Sequence, residues 1–127
     1  MAHAEHHEHL IKELAEQLEP VFSNSPQAIY LYLDDEHKIC NKKFADMLGY
    51  SSVGAWVKNQ YPISDVVEAD QEKGIKAYRA ASEKLKASKL SVTFVRKDGK
   101  KRKAEVIMVP ITYRNEVFVL HFITQEK

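Results

Sequence analysis

Four histidines stand within the first nine residues, and histidine is the side chain that most readily binds metal ions or exchanges protons near neutral pH. They are His3, His6, His7 and His9, and Glu5 and Glu8 lie between them. His3 and His7 are four residues apart, so on a helix they share one face and could chelate a divalent metal ion. One helical turn near a chain terminus holds a metal weakly. We therefore expect a solvated face here and predict no metal site.

The other reactive side chains do not form a pattern that supports catalysis. Cys40 is the only cysteine, which excludes an internal disulfide, is typical of a reducing compartment and favours a buried side chain. Asp34, Asp35 and Glu36 fall in a turn and not as a convergent pair. The sequence has no glycine-rich phosphate loop, no nucleophile elbow and no Cys/His zinc spacing. We predict that the chain is not an enzyme.

Length and charge restrict the class of protein further. The 127 residues are 44% hydrophobic, which suits one domain with one core. The net charge is +1, from 19 basic and 18 acidic residues, so we expect neither nucleic acid nor a membrane as a partner. The basic run at 96–103 lacks interleaved aromatic residues and indicates a solvated hairpin tip. No apolar run approaches the roughly 20 residues of a membrane span, and the polar N-terminus is unlike a signal peptide. We expect a cytoplasmic protein.

Hydrophobic spacing predicts an amphipathic helix at the start of the chain. Leu10, Ile11, Leu14 and Leu18 fall on one helical face. Pro20 ends this helix, because its ring blocks the helical hydrogen bond and disfavours helical angles in the residue before it.

The remaining chain divides into strands, then helices, then strands. Strands are predicted at 28–33 and 38–40. Asn41 and Gly49 are expected to cap a short helix, and a second short helix lies around residue 56. Asp70 is the expected N-cap of a longer helix that reaches about Ala87. Its expected inner face is Ile75, Tyr78, Ser82 and Leu85. Strands follow at 90–96, 101–111 and 117–124, joined by a type I′ turn at Asp98-Gly99 and a three-residue turn at 114–116.

Four segments in this order resemble the PAS domain family, over residues 20–127. They are Phe22-Ser23-Asn24-Ser25-Pro26-Gln27-Ala28-Ile29, Ile39-Cys40-Asn41-Lys42-Lys43-Phe44 with Leu48-Gly49-Tyr50, Lys97-Asp98-Gly99 with Pro110-Ile111, and His121-Phe122-Ile123-Thr124. Each segment alone is a weak signal, whereas all four in order are specific. Phe122 departs from the family pattern, which has an Asp there that helps to pass the signal into a C-terminal helix.

The resemblance implies both a fold and a function. The fold is the α+β PAS fold, a five-stranded antiparallel sheet with helices over one face. Residues 1–19 would be an N-terminal amphipathic cap helix, and 20–127 the PAS domain. The implied function is sensing and signal transduction, with a kinase or regulator as a partner.

In this family the sheet and helices enclose a pocket. Because successive side chains of a strand point to opposite faces of the sheet, placing the hairpin as in the family decides which strand residues face the pocket. That placement points one set of apolar and aromatic side chains inward. Together with helical residues, the expected pocket is Leu31, Phe44, Met47, Trp56, Tyr78, Phe94, Val106, Met108, Phe118 and Leu120. It would hold a small apolar or aromatic ligand, or the side chains would fill it completely.

The two common chromophores of the family are not expected. Flavin-binding members hold the ring with Asn and Gln at positions that correspond here to Phe94, Ala104 and Leu120, which cannot make those bonds. Haem-binding members of the best-known type place a histidine on or near the central helix, and no histidine lies between His37 and His121. We predict no cofactor.

The strand residues that point away from the pocket are also apolar, and an apolar face of a sheet must be covered. The expected interface comprises the stripe Leu10, Ile11, Leu14 and Leu18 with the sheet residues Tyr30, Tyr32, Ile107, Val109, Val119, His121 and Ile123. The helix could cover its own sheet or that of a second copy, and we favour a homodimer that uses both surfaces.

The leading prediction is a PAS-type sensor module that dimerises and binds a small ligand. The alternative is a ligand-free assembly module with a filled core.

Overall fold

The computed structural model describes residues 2–126, with side chains from His6 onward. Within these residues the helices are α1 (Ala2–Gln17), α2 (Glu19–Asn24), α3 (Lys42–Leu48), α4 (Val53–Val57) and α5 (Glu68–Lys84), with a 3-10 turn at Pro62–Asp65. The strands are β1 (Ala28–Asp34), β2 (His37–Cys40), β3 (Ser88–Val95), β4 (Lys101–Tyr113) and β5 (Glu116–Gln125). The predicted α+β architecture is confirmed.

The strands form one antiparallel sheet in the order β2-β1-β5-β4-β3. The first strand therefore lies beside the last, at the centre of the sheet. Helices α3, α4 and α5 pack on one face, here called the inner face, and α1 packs on the outer face. The sheet is thus the middle layer of three, with an apolar cluster on each side.

The N-terminal helix covers the outer face of its own chain. Leu10, Ile11 and Leu14 are buried there. They pack with the strand residues Ile29, Leu31, Leu33, Phe118 and Leu120. The predicted apolar stripe therefore makes an intramolecular cap.

Asn41 joins β2 to α3 and ties both to β1. Its side-chain oxygen accepts hydrogen bonds from the backbone N–H of Phe44 (3.0 Å) and of Ile29 (3.1 Å), and its Nδ2 donates to the carbonyl of Gln27 (2.9 Å). Gly49 ends α3 with a φ of 81°, a left-handed conformation that suits glycine. Both predicted caps of this helix are confirmed.

Two helix boundaries differ from the sequence prediction. The first helix ends at Gln17, and Pro20 lies in the first turn of α2, where its missing N–H removes no hydrogen bond. Helix α5 begins at Glu68, and the Asp70 carboxylate accepts from the backbone N–H of Thr93 (2.8 Å) instead of capping the helix. Asp70 therefore ties α5 to β3.

The inner face of α5 is only partly the one predicted. Ala77, Tyr78 and Ala81 pack on the core, whereas Ile75 and Leu85 are 42% and 57% exposed. Leu85 has left the helix and adopts a φ of 54°. The helix therefore turns Ala77, Tyr78 and Ala81 toward the core.

The β3–β4 turn is not the predicted type I′. Only Gly99 has a positive φ, of 85°, and Val95 pairs with Lys101. The Gly99 N–H donates to the carbonyl of Arg96 (2.9 Å), and the Arg96 N–H donates to that of Lys100 (2.7 Å). A type I′ turn needs positive φ at both central residues, and Asp98 does not have it.

The β4–β5 turn has two residues and not the three predicted. Tyr113 pairs with Glu116, and Arg114 and Asn115 have φ of 49° and 69°, as a type I′ turn requires. A slip of one residue exchanges the faces of a strand. The predicted faces of β5, and of β1 paired with it, are therefore wrong, while those of β3 and β4 are right.

The side chains of β1 and β5 lie on the faces opposite to those predicted. Leu31, Phe118 and Leu120 lie on the outer face and not in the pocket. Tyr30, Tyr32, Val119, His121 and Ile123 lie on the inner face and not at the cap interface. Ile107 and Val109 stand opposite Phe122 and Leu120 and keep their predicted outer position.

No helix within residues 2–126 is both long and apolar enough to cross a membrane.

Candidate functional site

A cavity of about 130 Å³ lies between the inner face of the sheet and helices α3 to α5. Its wall is mostly aromatic and aliphatic, with a few polar groups. The lining residues are Tyr30, Tyr32, Asp35, Phe44, Trp56, Pro62, Ile63, Asp65, Val66, Gly74, Ile75, Tyr78, Val92, Phe94, Val106, Met108 and His121. Six of these were expected from the sequence: Phe44, Trp56, Tyr78, Phe94, Val106 and Met108. Met47 packs beside the core without lining the cavity.

Aromatic rings form the rigid part of the wall. Phe44 meets Trp56 edge to face, with ring centroids 5.1 Å apart and an interplanar angle of 88°. Tyr32 meets Tyr78 in the same way, at 5.1 Å and 83°. Such pairs favour one relative orientation and add about 0.5–1.5 kcal/mol beyond the area that they bury. The cavity wall is therefore preformed.

His121 contributes a neutral imidazole to this wall. It is 2% exposed, and burial lowers its pKa to about 3. Its Nδ1 lies 3.1 Å from the carbonyl oxygen of Val119, which can only accept, so we assign the proton to Nδ1. The Nε2 atom of this tautomer is an acceptor.

Asp65 places a carboxylate on the opposite side of the lining. Tyr50 donates its hydroxyl to both oxygens (2.8 and 3.0 Å), and Asn59 Nδ2 lies 3.4 Å from Oδ2. Burial raises the pKa of Asp65, while the Tyr50 hydrogen bond and the charge of Lys97 oppose that rise. A buried carboxylate with a raised pKa beside a cavity is typical of a functional site.

Trp56 has an unused hydrogen-bond donor at the cavity. The side chain is 1% exposed, and among the described residues none accepts a hydrogen bond from its Nε1–H. The indole N–H is near enough to Asp65 to lower the pKa of that carboxyl, although it lies outside hydrogen-bond geometry. A buried donor without an acceptor costs about 1–3 kcal/mol, so an acceptor that reaches this N–H, either the Asp65 carboxylate or a ligand atom, would stabilise the site.

Lys38 is a buried cation next to the Trp56 ring. Its Nζ lies 5.4 Å from the ring centroid and donates to the carbonyls of Val57 (2.9 Å), Asn59 (2.6 Å) and Asp35. Burial lowers the pKa of Lys38, and the charge of Asp35 opposes that shift. The ammonium has an acceptor for each of its three hydrogens and holds β2 against the end of α4.

Cys40 lies buried in the inner cluster. Burial raises the pKa of its thiol to about 12. The thiol is therefore protonated at neutral pH, and a nucleophilic role has no support.

Asp65 lines the cavity, and Asn59 and Lys38 are polar groups close to it that the sequence analysis did not select. Asp65 ends the 3-10 turn Pro62–Asp65, and Lys38 sits in a strand where a charged side chain is expected to face water. The side chain of His3, which the sequence pairs with His7, lies outside the described residues.

Comparisons with known proteins agree with this geometry. A family model described as a PAS domain matches residues 26–126. A comparison with curated proteins finds no match. Solved structures that resemble the chain include a PAS domain of a protein from Colwellia psychrerythraea, with 24% identity, a TM-score of 0.65, and coverage of 92% of this chain and 97% of that one.

Two other similar structures come from proteins whose names include a signalling activity. One is a PAS domain from a two-component sensor histidine kinase, with 14% identity, a TM-score of 0.66, and coverage of 91% and 99% of the two chains. The other is the N-terminal domain of a diguanylate cyclase with a PAS/PAC sensor from Marinobacter aquaeolei, with 16% identity, a TM-score of 0.63, and coverage of 77% and 94%. At these identities the likeness shows the fold.

Proposed function

The chain belongs to the PAS domain family, whose members are sensory and generally non-catalytic, and we propose that it senses a small aromatic compound bound in the core cavity. The observation that carries this proposal is the cavity of about 130 Å³ with its aromatic wall, which includes the Trp56 ring. The indole N–H of Trp56 is a buried donor that makes no hydrogen bond within residues 2–126. A ligand atom that accepts this hydrogen bond recovers the free energy that the empty site loses.

The size of the cavity indicates the size of the ligand. A volume of about 130 Å³ is close to that of an engineered cavity of about 150 Å³ that binds benzene. The ligand is therefore one aromatic ring with few substituents and a hydrogen-bond acceptor on its edge. The aromatic wall around Phe44 and Tyr78 supports a planar molecule.

We also propose that neither flavin nor haem occupies this cavity. The Phe94 and Ala104 side chains have no hydrogen-bonding group. The corrected register of β5 turns Leu120 outward and His121 inward. Cavities that hold larger ligands have volumes of about 300–1,000 Å³. We expect a colourless protein.

Benzene and pyridine test the proposal, because they have the same shape and differ by one ring nitrogen that accepts a hydrogen bond. We expect pyridine to bind the wild type about two- to tenfold more tightly than benzene at pH 7.5, since a neutral hydrogen bond contributes about 0.5–1.5 kcal/mol. In Trp56→Phe this preference should disappear while benzene still binds. Titrations followed by nuclear magnetic resonance of backbone amides measure both affinities and locate the ligand.

Two results would contradict the proposal. Equal affinity of the wild type for the two rings would remove the role of Trp56. Failure of both rings to perturb the amides of Phe94 and Met108 would favour the alternative, an assembly module with a filled core. The cavity of about 130 Å³ argues against that alternative.

We also propose that the domain signals as a homodimer. Support comes from the part of the outer face that α1 leaves open, where Ile107 is 36% exposed beside its partner Phe122. Light scattering during size-exclusion chromatography should give a dimer for the wild type and a monomer for Ile107→Lys. A monomeric wild type across the micromolar range would rule this out.

The output partner is proposed by analogy. Since two similar folds belong to a histidine kinase and a diguanylate cyclase with a sensor, a kinase or another regulator is the expected recipient of the signal. The cavity would then control the interface with that partner, and the chain itself would catalyse no reaction.

A further inference from the structure

A cluster of two histidines and a carboxylate lies at the seam between α1 and the β1–β2 hairpin, away from the core cavity. His7 Nδ1 is 3.0 Å from Asp34 Oδ2, and His37 Nδ1 is 2.7 Å from Asp34 Oδ1. One donor atom from each residue lies within 4.8 Å of the others. We propose that His7, Asp34 and His37 bind a zinc ion that fastens the N-terminal helix to the sheet.

The fold brings these residues together from distant parts of the sequence. His7 precedes Leu10, Ile11 and Leu14 by three, four and seven positions, so it shares the helical face that packs on the sheet. Asp34 ends β1 and His37 begins β2. The cluster therefore forms only when α1 is docked on its own hairpin.

The Asp34 carboxylate is already held in position. Its Oδ1 accepts the backbone N–H groups of Glu36 (3.0 Å) and His37 (2.8 Å). These bonds fix the side chain and leave Oδ2 as the oxygen available to an ion. Because the position is set by the turn, little conformational entropy is lost when a metal binds.

The donor set suits zinc. Two imidazole nitrogens and a carboxylate oxygen are common zinc ligands, with bonds of about 2.0–2.2 Å and therefore about 3.4 Å between neighbouring ligand atoms in a tetrahedral site. His7 Nδ1 lies 3.0 Å from Asp34 Oδ2, whereas His37 Nδ1 lies 2.7 Å from Oδ1, so the His37 and Asp34 side chains must rotate for both histidines to share an ion with Oδ2. The ligand atoms already lie within 4.8 Å of one another. A water molecule would complete the fourth position, and Asp34, at 40% exposed, leaves the site open to solvent.

Glu116 supplies the outer partner that zinc-bound histidines usually have. Its Oε1 lies 3.0 Å from His7 Nε2. A carboxylate behind a histidine fixes the tautomer, so that the other ring nitrogen faces the metal. With Nε2–H donating to Glu116, His7 Nδ1 is directed to the ion.

A proton occupies this position when no metal does. Both nitrogens of His7 face carboxylates, so both must carry hydrogen, which makes the ring cationic. Zinc binding replaces the proton on Nδ1 and releases it to solvent.

Titration of the full chain with ZnCl2 tests the site. After treatment with a chelator and desalting, calorimetry at pH 7.5 should show one zinc per chain. Asp34→Asn retains the acceptor that the turn needs but removes the charge, and we expect it to weaken zinc binding at least tenfold. His37→Ala should do the same. The double variant His6→Ala/His9→Ala removes exposed histidines of the same helix and should bind like the wild type.

The variants also distinguish this site from adventitious binding by a histidine-rich helix. If the double variant loses zinc while Asp34→Asn and His37→Ala retain it, the proposal is wrong. Thermal unfolding in EDTA establishes that each variant is folded. A readout without any variant is the side-chain nitrogen shift of His37 in the wild type, which should move on zinc addition; an unchanged shift at saturating zinc would overturn the proposal.

Discussion

Tyr30 and His121 stack face to face across the two central strands, with ring centroids 3.8 Å apart and an interplanar angle of 13°. They are direct partners in the β1–β5 register. The stack holds a buried, neutral imidazole at the cavity wall. It also leads to the first prediction, because a buried neutral histidine makes stability depend on pH.

We expect His121 to destabilise the fold in acid. Its pKa is lowered to about 3 in the folded protein, against about 6.5 in the unfolded chain. Between these values the unfolded state binds one more proton, so stability is complete above about pH 6.5 and falls by up to about 1.4 kcal/mol for each pH unit below it. Urea unfolding of the wild type and His121→Gln between pH 7 and 4 should give a shallower dependence for the variant. His9→Gln, at an exposed position, is the control, and identical slopes for His121→Gln and the wild type would contradict the assignment.

Asp65 should have the opposite pH dependence. Burial raises its pKa in the fold, so its contribution to stability is present below the unfolded pKa and is lost as the pH rises through the folded pKa. Asp65→Asn keeps an acceptor for the Tyr50 hydroxyl and carries no charge. We expect it to be more stable than the wild type at pH 7 and to lose that advantage near pH 3. The exposed Asp46→Asn should change stability by less than about 0.5 kcal/mol, and a loss of stability in Asp65→Asn at pH 7 would show that the ionised carboxylate is needed for the fold.

The cap helix should contribute strongly to stability through Leu10. The side chain is 0% exposed and packs on the outer face. Replacement of a buried leucine by alanine costs about 2–5 kcal/mol, because contacts are lost and a cavity remains. Chemical denaturation of Leu10→Ala should show this loss. Leu85→Ala, at a position that is 57% exposed, should change stability by less than about 0.5 kcal/mol, and similar values for the two variants would mean that α1 is not docked in solution.

Two glycines should respond in opposite directions to alanine. Gly74 lies inside α5, and a Cβ there would meet no atom within 4 Å, so Gly74→Ala should stabilise the protein by up to about 1 kcal/mol. Gly99 has a φ of 85°, a conformation that alanine rarely adopts. Gly99→Ala should therefore destabilise the protein by about 1 kcal/mol. Thermal midpoints of the two variants provide the test, and a shift of both in the same direction would contradict it.

Local sequence patterns determined the order of elements. The stripe of Leu10, Ile11 and Leu14 indicated the cap helix, and Asn41 with Gly49 indicated a capped helix, because these signals act over a few neighbouring residues. The family resemblance implied the five-stranded sheet, and the sheet has that form.

Only the tertiary structure decided which face of the central strands lines the cavity. Both parities of β1 and β5 are apolar, so hydrophobic alternation could not choose between them, and the choice rested on whether the β4–β5 turn has two residues or three. Arg114 and Asn115 form a two-residue turn, which carries His121 and Tyr30 inward and Leu120 outward. The grouping of Asp65 with Tyr50 and Asn59, and of His7 with Asp34 and His37, likewise depends on distant segments meeting. Such contacts leave no periodic signal in the sequence, because the physical requirement they meet is the pairing of buried polar groups in three dimensions.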